Sequence, residues 1–294
     1  MDLLQQYPVP FNEIDVAKSV IEAQVLSKDM FTADNLKLAF SLIDLTSLKA
    51  TDSLTKAQEL AESVNSFPSK YSGMPDVAAI CVYPALVKTV ATYLKIKTIG
   101  LASVGAGFPS SQTFLDVKML ECKTATLSGA TDVDVVISLG TWLSGDYETV
   151  FNEIKAIKKS IGNSHLKVII EAGALSTVEN IWNASIVAME AGAEFIKTST
   201  GTMEPAATPE ATYIMCKAIE AYSAKTGKRI GIKPAGGIVT SHDALTYLAI
   251  VKSVLGSEWL NKKRFRIGAS RLANNIIADI IKLETGRDEI VKHF

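Results

Sequence analysis

The chain has 294 residues and a formal net charge of −1, with 30 Lys and Arg against 31 Asp and Glu. Hydrophobic residues make up 48% of it, which is enough for a core and excludes disordered, collagen-like and disulfide-stapled proteins. The near-neutral charge creates no general field that would attract nucleic acid or an acidic membrane. An anionic ligand therefore has to be bound by local groups.

The cysteines and the N-terminus indicate where the protein resides. Cys81, Cys122 and Cys216 are far apart and form no CxxC pair, which favours reduced thiols in a cytoplasmic protein. The first residues lack the basic and apolar stretches of a secretory signal. No run of about 18 apolar residues is present, so the sequence predicts no membrane span.

Eight short runs rich in β-branched residues predict strands. In chain order they cover residues 41–45, 78–83, 98–104, 133–137, 166–171, 194–198, 229–233 and 265–268. Helical segments lie between them, and this alternation implies parallel pairing with right-handed crossovers. Eight such units in about 250 residues fit an α/β fold of the closed (β/α)8, or TIM-barrel, type better than an open sheet.

Capping signals predict where several helices begin. Thr208 followed by Pro209 opens one helix, and Thr240 or Ser241 with Asp243 opens another. A third begins at Thr177 and ends near residues 191–192, where a glycine stops it. Apolar residues three or four apart predict a fourth helix over 148–161.

The residues before the first strand also have a helical pattern. Its apolar side is formed by Ile14, Val20, Ile21, Val25 and Leu26. We expect this extension, about residues 1–37, to cover the bottom of the barrel or to form a subunit contact, and the barrel to occupy about 38–294. No linker or repeat interrupts the chain, so residues 1–294 are predicted to form a single domain.

Two predicted strands end in lysine, at the carboxyl edge where barrels place their active sites. Lys197 closes the sixth strand and Lys233 the seventh. Neighbouring strands are about 4.8 Å apart, so the two ammonium groups become neighbours. A like charge and burial both disfavour protonation, which prepares a lysine to attack a carbonyl and form a Schiff base. For either lysine alone, an outward or snorkelling side chain is the competing interpretation.

Two aspartates lie within apolar strands. Asp134 is on the fourth strand, and alternate barrel strands share a layer, so Asp134 can lie beside Lys197 and move protons through a water. A purely structural ion pair is the alternative. Asp44 on the first strand is predicted to point inward with Thr46 nearby, and structural and functional roles remain equally open for it.

Glycine loops follow the last strands. Gly236 and Gly237 come after the seventh strand, and Gly268 with Ser270 after the eighth, which is where barrels often bind phosphate at a helix N-terminus. Gly201, with Ser199 or Thr200, is placed to complete the cradle. Ordinary tight-turn chemistry is the alternative.

Cofactor sites have little support in the sequence. His165, His242 and His293 do not cluster, and no Walker or GxGxxG motif is present. Cys81 fits a core position. We therefore predict neither a metal nor a nucleotide cofactor.

These segments resemble the deoxyribose-phosphate aldolases, a family of class I aldolases. The resemblance runs from about residue 38 to the last helix and is carried by residues 43–46, 79–84, 133–136, 195–201, 233–237 and 266–270. The KTSTG and KPAGG motifs, in that order on successive strands, are the most specific part.

The resemblance implies a reaction and a set of roles. The reaction is reversible cleavage of 2-deoxy-D-ribose 5-phosphate to D-glyceraldehyde 3-phosphate and acetaldehyde, without a metal. Lys197 is then the Schiff-base nucleophile, and Lys233 is the cation that favours its neutral form. Asp134 is the acid and base of the proton relay, with Asp44 in support. The implied partners are sugar-phosphate and aldehyde substrates.

Three positions depart from the family pattern. Thr202 stands where a lysine is expected, Val239 where a basic or polar residue is common, and Arg271 where a second serine is common. Two phosphate contacts are thereby lost and one cation gained, which predicts weaker discrimination for phosphorylated sugars. The chain also lacks the terminal tyrosine of some relatives.

Two other functions remain as alternatives. One is a related lysine-dependent lyase for non-phosphorylated aldehydes. The other is a non-catalytic barrel that binds a sugar phosphate. Homo-oligomer formation is open, because no interface can be identified from the sequence.

Overall fold

The computed structural model describes residues 1–294 and contains one eight-stranded parallel sheet. Its strands are β1 Ile43–Thr46, β2 Ala79–Val82, β3 Gly100–Gly105, β4 Asp132–Val136, β5 His165–Ile169, β6 Phe195–Lys197, β7 Gly231–Lys233 and β8 Ile267–Ala269. Every predicted strand is present, with ends that differ from the predictions by at most two residues. β2, β6 and β7 are each two residues shorter than predicted.

The sheet closes on itself. Each strand pairs with its sequence neighbour, and β1 also pairs with β8. Parallel bridges join Ile232 to Phe265 and Ala235 to Gly268, which connects the β7 side to the β8 side. The predicted (β/α)8 barrel is therefore confirmed, and the carboxyl ends of all strands face the same mouth.

Helices precede and separate the strands. They are α1 Asp2–Gln5, α2 Glu13–Asp29, α3 Ala33–Ser41, α4 Leu54–Lys70, α5 Val87–Tyr93, α6 Leu115–Leu127, α7 Leu139–Leu143, α8 Tyr147–Ser160, α9 Ala172–Leu175, α10 Val178–Glu190, α11 Pro209–Thr226, α12 Ser241–Leu255 and α13 Arg271–Thr285. Short 3₁₀ helices cover Pro84–Leu86 and Ser257–Trp259. No helix is long and apolar enough to cross a membrane.

The predicted helix starts are confirmed by their caps. The side chain of Thr208 accepts from the Ala211 backbone at the start of α11. Thr240 and Asp243 form a reciprocal capping box at α12. Thr177 caps α10 by accepting from a backbone N–H in the first turn. These side chains satisfy donors that the first turn of a helix leaves free.

The N-terminal segment differs from the expectation in two respects, while the subunit contact offered as the alternative stays a prediction. First, α2 packs against α11 and α12 of the outer layer instead of covering the barrel bottom. Second, of the five apolar residues predicted to share a side, only Val20 is buried, and Ile14 is 78% exposed. The buried face consists of Val16, Val20, Ala23 and Ser27. Small side chains on this face allow α2 to lie close to α11 and α12. The large apolar side chains of α2 therefore did not indicate which face of the helix is buried.

Candidate active site

The two strand-end lysines lie side by side. Lys197 on β6 pairs in register with Lys233 on β7, and both side chains point into the barrel, with 3% and 0% of their surface exposed. Two lysines buried next to each other are costly unless carboxylates balance them. The outward or snorkelling alternative is therefore excluded for both.

Asp134 joins the two lysines. Its Oδ2 accepts from Lys197 Nζ at 3.0 Å and from Lys233 Nζ at 2.7 Å. Lys233 Nζ also lies 2.6 Å from Asp44 Oδ2. Lys233 is thus held between two carboxylates, whereas Lys197 has one carboxylate, which it shares. As predicted, side chains of the fourth and sixth strands lie in one layer, where Asp134 contacts Lys197.

Three further charged residues complete the cluster, and the sequence analysis did not select them. Lys167 Nζ on β5 lies 2.8 Å from Asp132 Oδ1 and 3.3 Å from Asp134 Oδ1. Arg266 Nη1 donates to Asp44 Oδ1 at 2.6 Å. Lys167 lies between apolar neighbours, as Asp134 does, and this alternation was the signal that could have identified it.

The buried charges stabilise each other's ionised forms. Burial raises the pKa of Asp44, but the charges of Lys233, Arg266 and Lys167 outweigh burial and hold the pKa at about 2. Burial likewise raises the pKa of Asp134, and its lysine neighbours lower it well below its usual range. Burial lowers the pKa of Lys233, but Asp134 and Asp44 raise it above its usual range. Lys233 is therefore a permanent cation at neutral pH.

A cavity of about 440 Å³ opens at the mouth of the barrel. Of the lysines in the buried cluster, only Lys197 lines this cavity. The Phe108 ring lies over Lys197, with its centroid 6.0 Å from Nζ. A small carbonyl compound that enters the cavity meets Lys197 and no other amine of the cluster, while Lys233 and Asp134 lie behind it.

The residues predicted to bind substrate or phosphate line this same cavity, except Ser199, the alternative to Thr200. These residues are Thr46, Thr200, Gly201, Gly236, Gly237, Gly268 and Ser270. Gly236 has φ +86°, and a Cβ there would lie 2.9 Å from the Cα of Gly201, so the two loops approach this closely only because residue 236 is glycine. At Gly268 a Cβ would lie 2.6 Å from the Ala235 side chain.

The three departing positions also face the cavity. Thr202, Val239 and Arg271 all line it, and Lys49 adds a second cation to the wall. Thr202 Oγ1 lies 2.8 Å from Thr200 Oγ1, so its hydroxyl is engaged locally. The sequence analysis did not predict Lys49, which lies in a loop after β1 and has no motif around it.

The C-terminus reaches the cavity too. Phe294 lines it, and Asn274 holds the terminal residue by donating from Nδ2 to the Phe294 carbonyl at 2.8 Å. Asn274 Oδ1 in turn accepts from the backbone N–H groups of His293 and Phe294. An aromatic side chain thus stands at the chain end, although it is not the tyrosine of some relatives.

The other candidates do not line the cavity. Cys81 is fully buried near Lys233 and Asp134, and burial raises the pKa of its thiol. His165, at the start of β5, lies 3.4 Å from Asp132 Oδ1 in the cluster, whereas His242 is on α12 and His293 at the C-terminus. No group of three His, Cys, Asp or Glu side chains is arranged to hold a metal ion.

Comparison with known proteins gives a consistent result. The family model described as DeoC/LacD family aldolase matches residues 38–254. The human deoxyribose-phosphate aldolase is 40% identical over 282 residues, which cover 91% of this chain and 87% of the human protein. The mouse enzyme of that name is 39% identical over 282 residues, with the same coverages.

A solved structure supports the fold. A structure of tetrameric deoxyribose phosphate aldolase from Aeropyrum pernix superposes with a TM-score of 0.67, at 21% identity, over 92% of this chain and 99% of that chain. The extent of the family match and the identity to the mammalian enzymes both lead to one conclusion. This chain belongs to the DeoC/LacD aldolase family.

Proposed function

We propose that this chain cleaves 2-deoxy-D-ribose 5-phosphate reversibly to D-glyceraldehyde 3-phosphate and acetaldehyde through a Schiff base on Lys197. The observation that carries the proposal is the position of Lys197. It lines the cavity, while Lys233 and Asp134 contact each other behind it. The mammalian relatives named deoxyribose-phosphate aldolase support the same reaction.

The reaction begins when neutral Lys197 Nζ attacks C1 of the open-chain sugar. Loss of water gives an iminium ion, which accepts the electron pair of the C2–C3 bond as that bond breaks. The proton of the C3 hydroxyl leaves, and glyceraldehyde 3-phosphate is released. The enamine then takes a proton at C2, and water hydrolyses the resulting imine to acetaldehyde and free Lys197.

Asp134, Lys233 and Asp44 serve the proton transfers. Lys233 places a positive charge in register beside Lys197. Asp134 contacts both ammonium groups, so it is placed to pass a proton between the two lysines. Asp44 holds Lys233 from the opposite side. Its role is to position Lys233.

The glycine loops and Ser270 are proposed to hold the phosphate. The N–H groups of Gly236 and Gly268 already donate to backbone carbonyls. The proposed backbone donors are therefore those of Gly201, Gly237 and Ser270, which line the cavity next to the N-terminus of α13, and Arg271 is proposed to add a charge-assisted contact. Lys49 is the other cation on the wall.

Specificity is proposed to be relaxed towards non-phosphorylated aldehydes. Thr202 and Val239 provide no cation where the family pattern leads one to expect basic or polar groups, and both line the cavity. A related lysine-dependent aldolase for unphosphorylated substrates is therefore the second candidate function. The ratio of kcat/KM for 2-deoxyribose 5-phosphate to kcat/KM for 2-deoxyribose separates the two candidate functions. A strong preference for the phosphorylated sugar contradicts the proposed relaxed specificity.

The proposed activity is tested by product formation. Purified protein is incubated with 2-deoxyribose 5-phosphate, and acetaldehyde and glyceraldehyde 3-phosphate are each measured. Both products are expected in equal amounts, and neither with Lys197→Met. A folded wild-type protein that binds the sugar phosphate without releasing products would instead support a non-catalytic binding barrel.

We also propose that the chain is one domain of residues 1–294 that resides in the cytoplasm and forms a homo-oligomer. One large cluster of 78 buried hydrophobic residues, beside a small one of three, supports one domain. Three free cysteines favour a reducing compartment. A line of exposed apolar residues, from Phe114 at the N-cap of α6 through Leu120 to Leu127, supports contact with a second copy.

A further inference from the structure

A second cavity of about 380 Å³ lies beside the loop between β3 and α6, and no hydrophobic residue lines it. Its walls come from that loop, from α6, from the segment that holds α7, and from α8. It shares no lining residue with the cavity at the barrel mouth. Small-molecule sites of this size usually have mostly apolar walls, so a polar lining selects a different ligand chemistry.

A buried lysine forms the base of this cavity. Lys118 is 1% exposed, and its Nζ donates to Ser138 Oγ at 2.6 Å and to Glu153 Oε2 at 3.1 Å. Ser138 Oγ donates in turn to the same carboxylate oxygen at 2.5 Å. The charges of Lys118 and Glu153 cancel. The base of the cavity therefore offers hydrogen-bond donors and acceptors without a net charge.

The wall also carries a hydroxyl that has no partner. Ser111 is 4% exposed and has φ +57°, and its Oγ makes no hydrogen bond within the protein. A buried hydroxyl without a partner costs free energy unless a water or a ligand satisfies it. Thr113 and Thr141 place two further hydroxyl groups around the same space.

We propose that this cavity binds a neutral polyhydroxylated molecule of about four to six carbons, such as a sugar alcohol or a free sugar. A ligand rich in hydroxyl groups can donate to and accept from the surrounding side chains at the same time. A lipid or aromatic ligand would find no apolar wall. A phosphate would find Lys118 already neutralised by Glu153.

The loop connects this cavity to the nucleophile. Phe108, which covers Lys197, and Ser111, which lines the polar cavity, are only three residues apart. The loop is anchored on one side by Glu121, which accepts from the Gly107 backbone at 2.8 Å. A ligand bound to Ser111 would therefore restrain the same loop that closes over the reactive amine.

Xylitol is a suitable probe because it has five hydroxyl groups, no carbonyl that could react with Lys197, and no phosphate. Binding to the full chain is measured by saturation-transfer NMR, and a Kd on the order of millimolar is expected. In Ser111→Ala the affinity is expected to fall about fivefold, the effect of one net hydrogen bond. Because Ser111 Oγ has no partner in the protein, this variant loses no internal hydrogen bond and should be at least as stable as the wild type.

Ser241→Ala is the matched control. Ser241 Oγ donates to Asp279 at 2.6 Å and is buried, but it lies outside the cavity, so the xylitol affinity should not change. Inorganic phosphate should not displace xylitol. The proposal is overturned if xylitol does not bind at about 100 mM, a concentration well above a millimolar Kd. It is equally overturned if Ser111→Ala binds xylitol like the wild type, or if phosphate competes.

Discussion

Lys197 and Lys233 occupy the same level of neighbouring strands, yet their surroundings assign them different tasks. Lys233 is fully buried between Asp44 and Asp134, which keep it charged. Lys197 shares Asp134 and faces the cavity. A nucleophile has to reach the substrate and lose its proton, whereas a neighbouring cation has to keep its own. The contacts of Lys197 are those expected of the nucleophile, and the contacts of Lys233 are those expected of the neighbouring cation.

Replacing Lys233 by methionine is expected to lower kcat by roughly 10²- to 10⁴-fold while the cavity stays intact, because the cation beside Lys197 and part of the proton relay are lost. Steady-state cleavage rates check this. Lys282→Met removes an exposed lysine that pairs with Asp288 and should leave the rate unchanged. Full activity of Lys233→Met would remove Lys233 from the mechanism.

Arg271 is expected to recognise the phosphate. Arg271→Leu should lower kcat/KM for 2-deoxyribose 5-phosphate by roughly tenfold or more, because a charge-assisted hydrogen bond is lost. The value for unphosphorylated 2-deoxyribose should not change. Arg287→Leu, a substitution on the exposed C-terminal segment, is the control. An equal loss for both sugars would show that Arg271 acts on the fold and not on the phosphate.

At the scale of elements, the loops after the strands position the site. Glu171, between β5 and α9, is buried and has φ +53°. Both of its carboxylate oxygens lie 3.3 Å from the Thr200 backbone nitrogen. That backbone belongs to the loop that carries Thr200 and Gly201 into the cavity. A strained backbone position that orders a substrate-binding loop is a recurrent feature of functional sites.

Glu171→Ala is expected to raise KM for the phosphorylated sugar by about tenfold, because the Thr200 N–H loses its acceptor and the loop loses its fixed position. Glu171→Gln retains an oxygen acceptor and should restore most of the affinity. Steady-state kinetics of the two variants decide this. If Gln and Ala have equal effects, the carboxylate does not act through that hydrogen bond.

The elements also show what the sequence could predict. Helix starts were predictable where a cap acts locally, as at Thr208 and Thr240, since the signal and the structure lie within four residues. The buried face of α2 was not predictable from size, because its partners α11 and α12 are about 200 residues away in the chain. Tertiary packing determined which side of that helix is covered.

At the scale of the whole molecule, barrel closure brings distant charges together. Asp44, Asp134 and Lys233 come from three strands that are far apart in the sequence and meet within 3 Å. The motifs around the two strand-end lysines identified part of this cluster. Alternation with apolar neighbours could have identified Lys167 as an inward-facing residue, but no local pattern showed that Lys167 would contact Asp132 or that Arg266 would contact Asp44.

The cluster predicts a loss of stability in acid. The pKa of Asp44 is about 2 in the folded protein and 3.8 ordinarily, so the folded state binds fewer protons between these values. The contribution of ionised Asp44 to the stability of the folded protein is complete above about pH 4 and disappears as the pH falls towards 2. The difference corresponds to roughly 2 kcal/mol of unfolding free energy.

Urea unfolding at pH 5, 4, 3 and 2 measures this loss. Asp44→Asn should be less stable at pH 5, because Lys233 and Arg266 lose a partner, but it should show a shallower decline in acid. Asp288→Asn, which alters an exposed carboxylate, is the control. A wild-type stability that stays constant from pH 5 to pH 2 contradicts the electrostatic account.

The central claim is that Lys197 forms the Schiff base. The most direct measurement is incubation with acetaldehyde, reduction with borohydride, digestion and mapping of the adduct by mass spectrometry. The account predicts one ethyl group on Lys197 and none on Lys233 or Lys167. An adduct on another lysine, or no adduct on a folded protein that still cleaves the sugar, would contradict it.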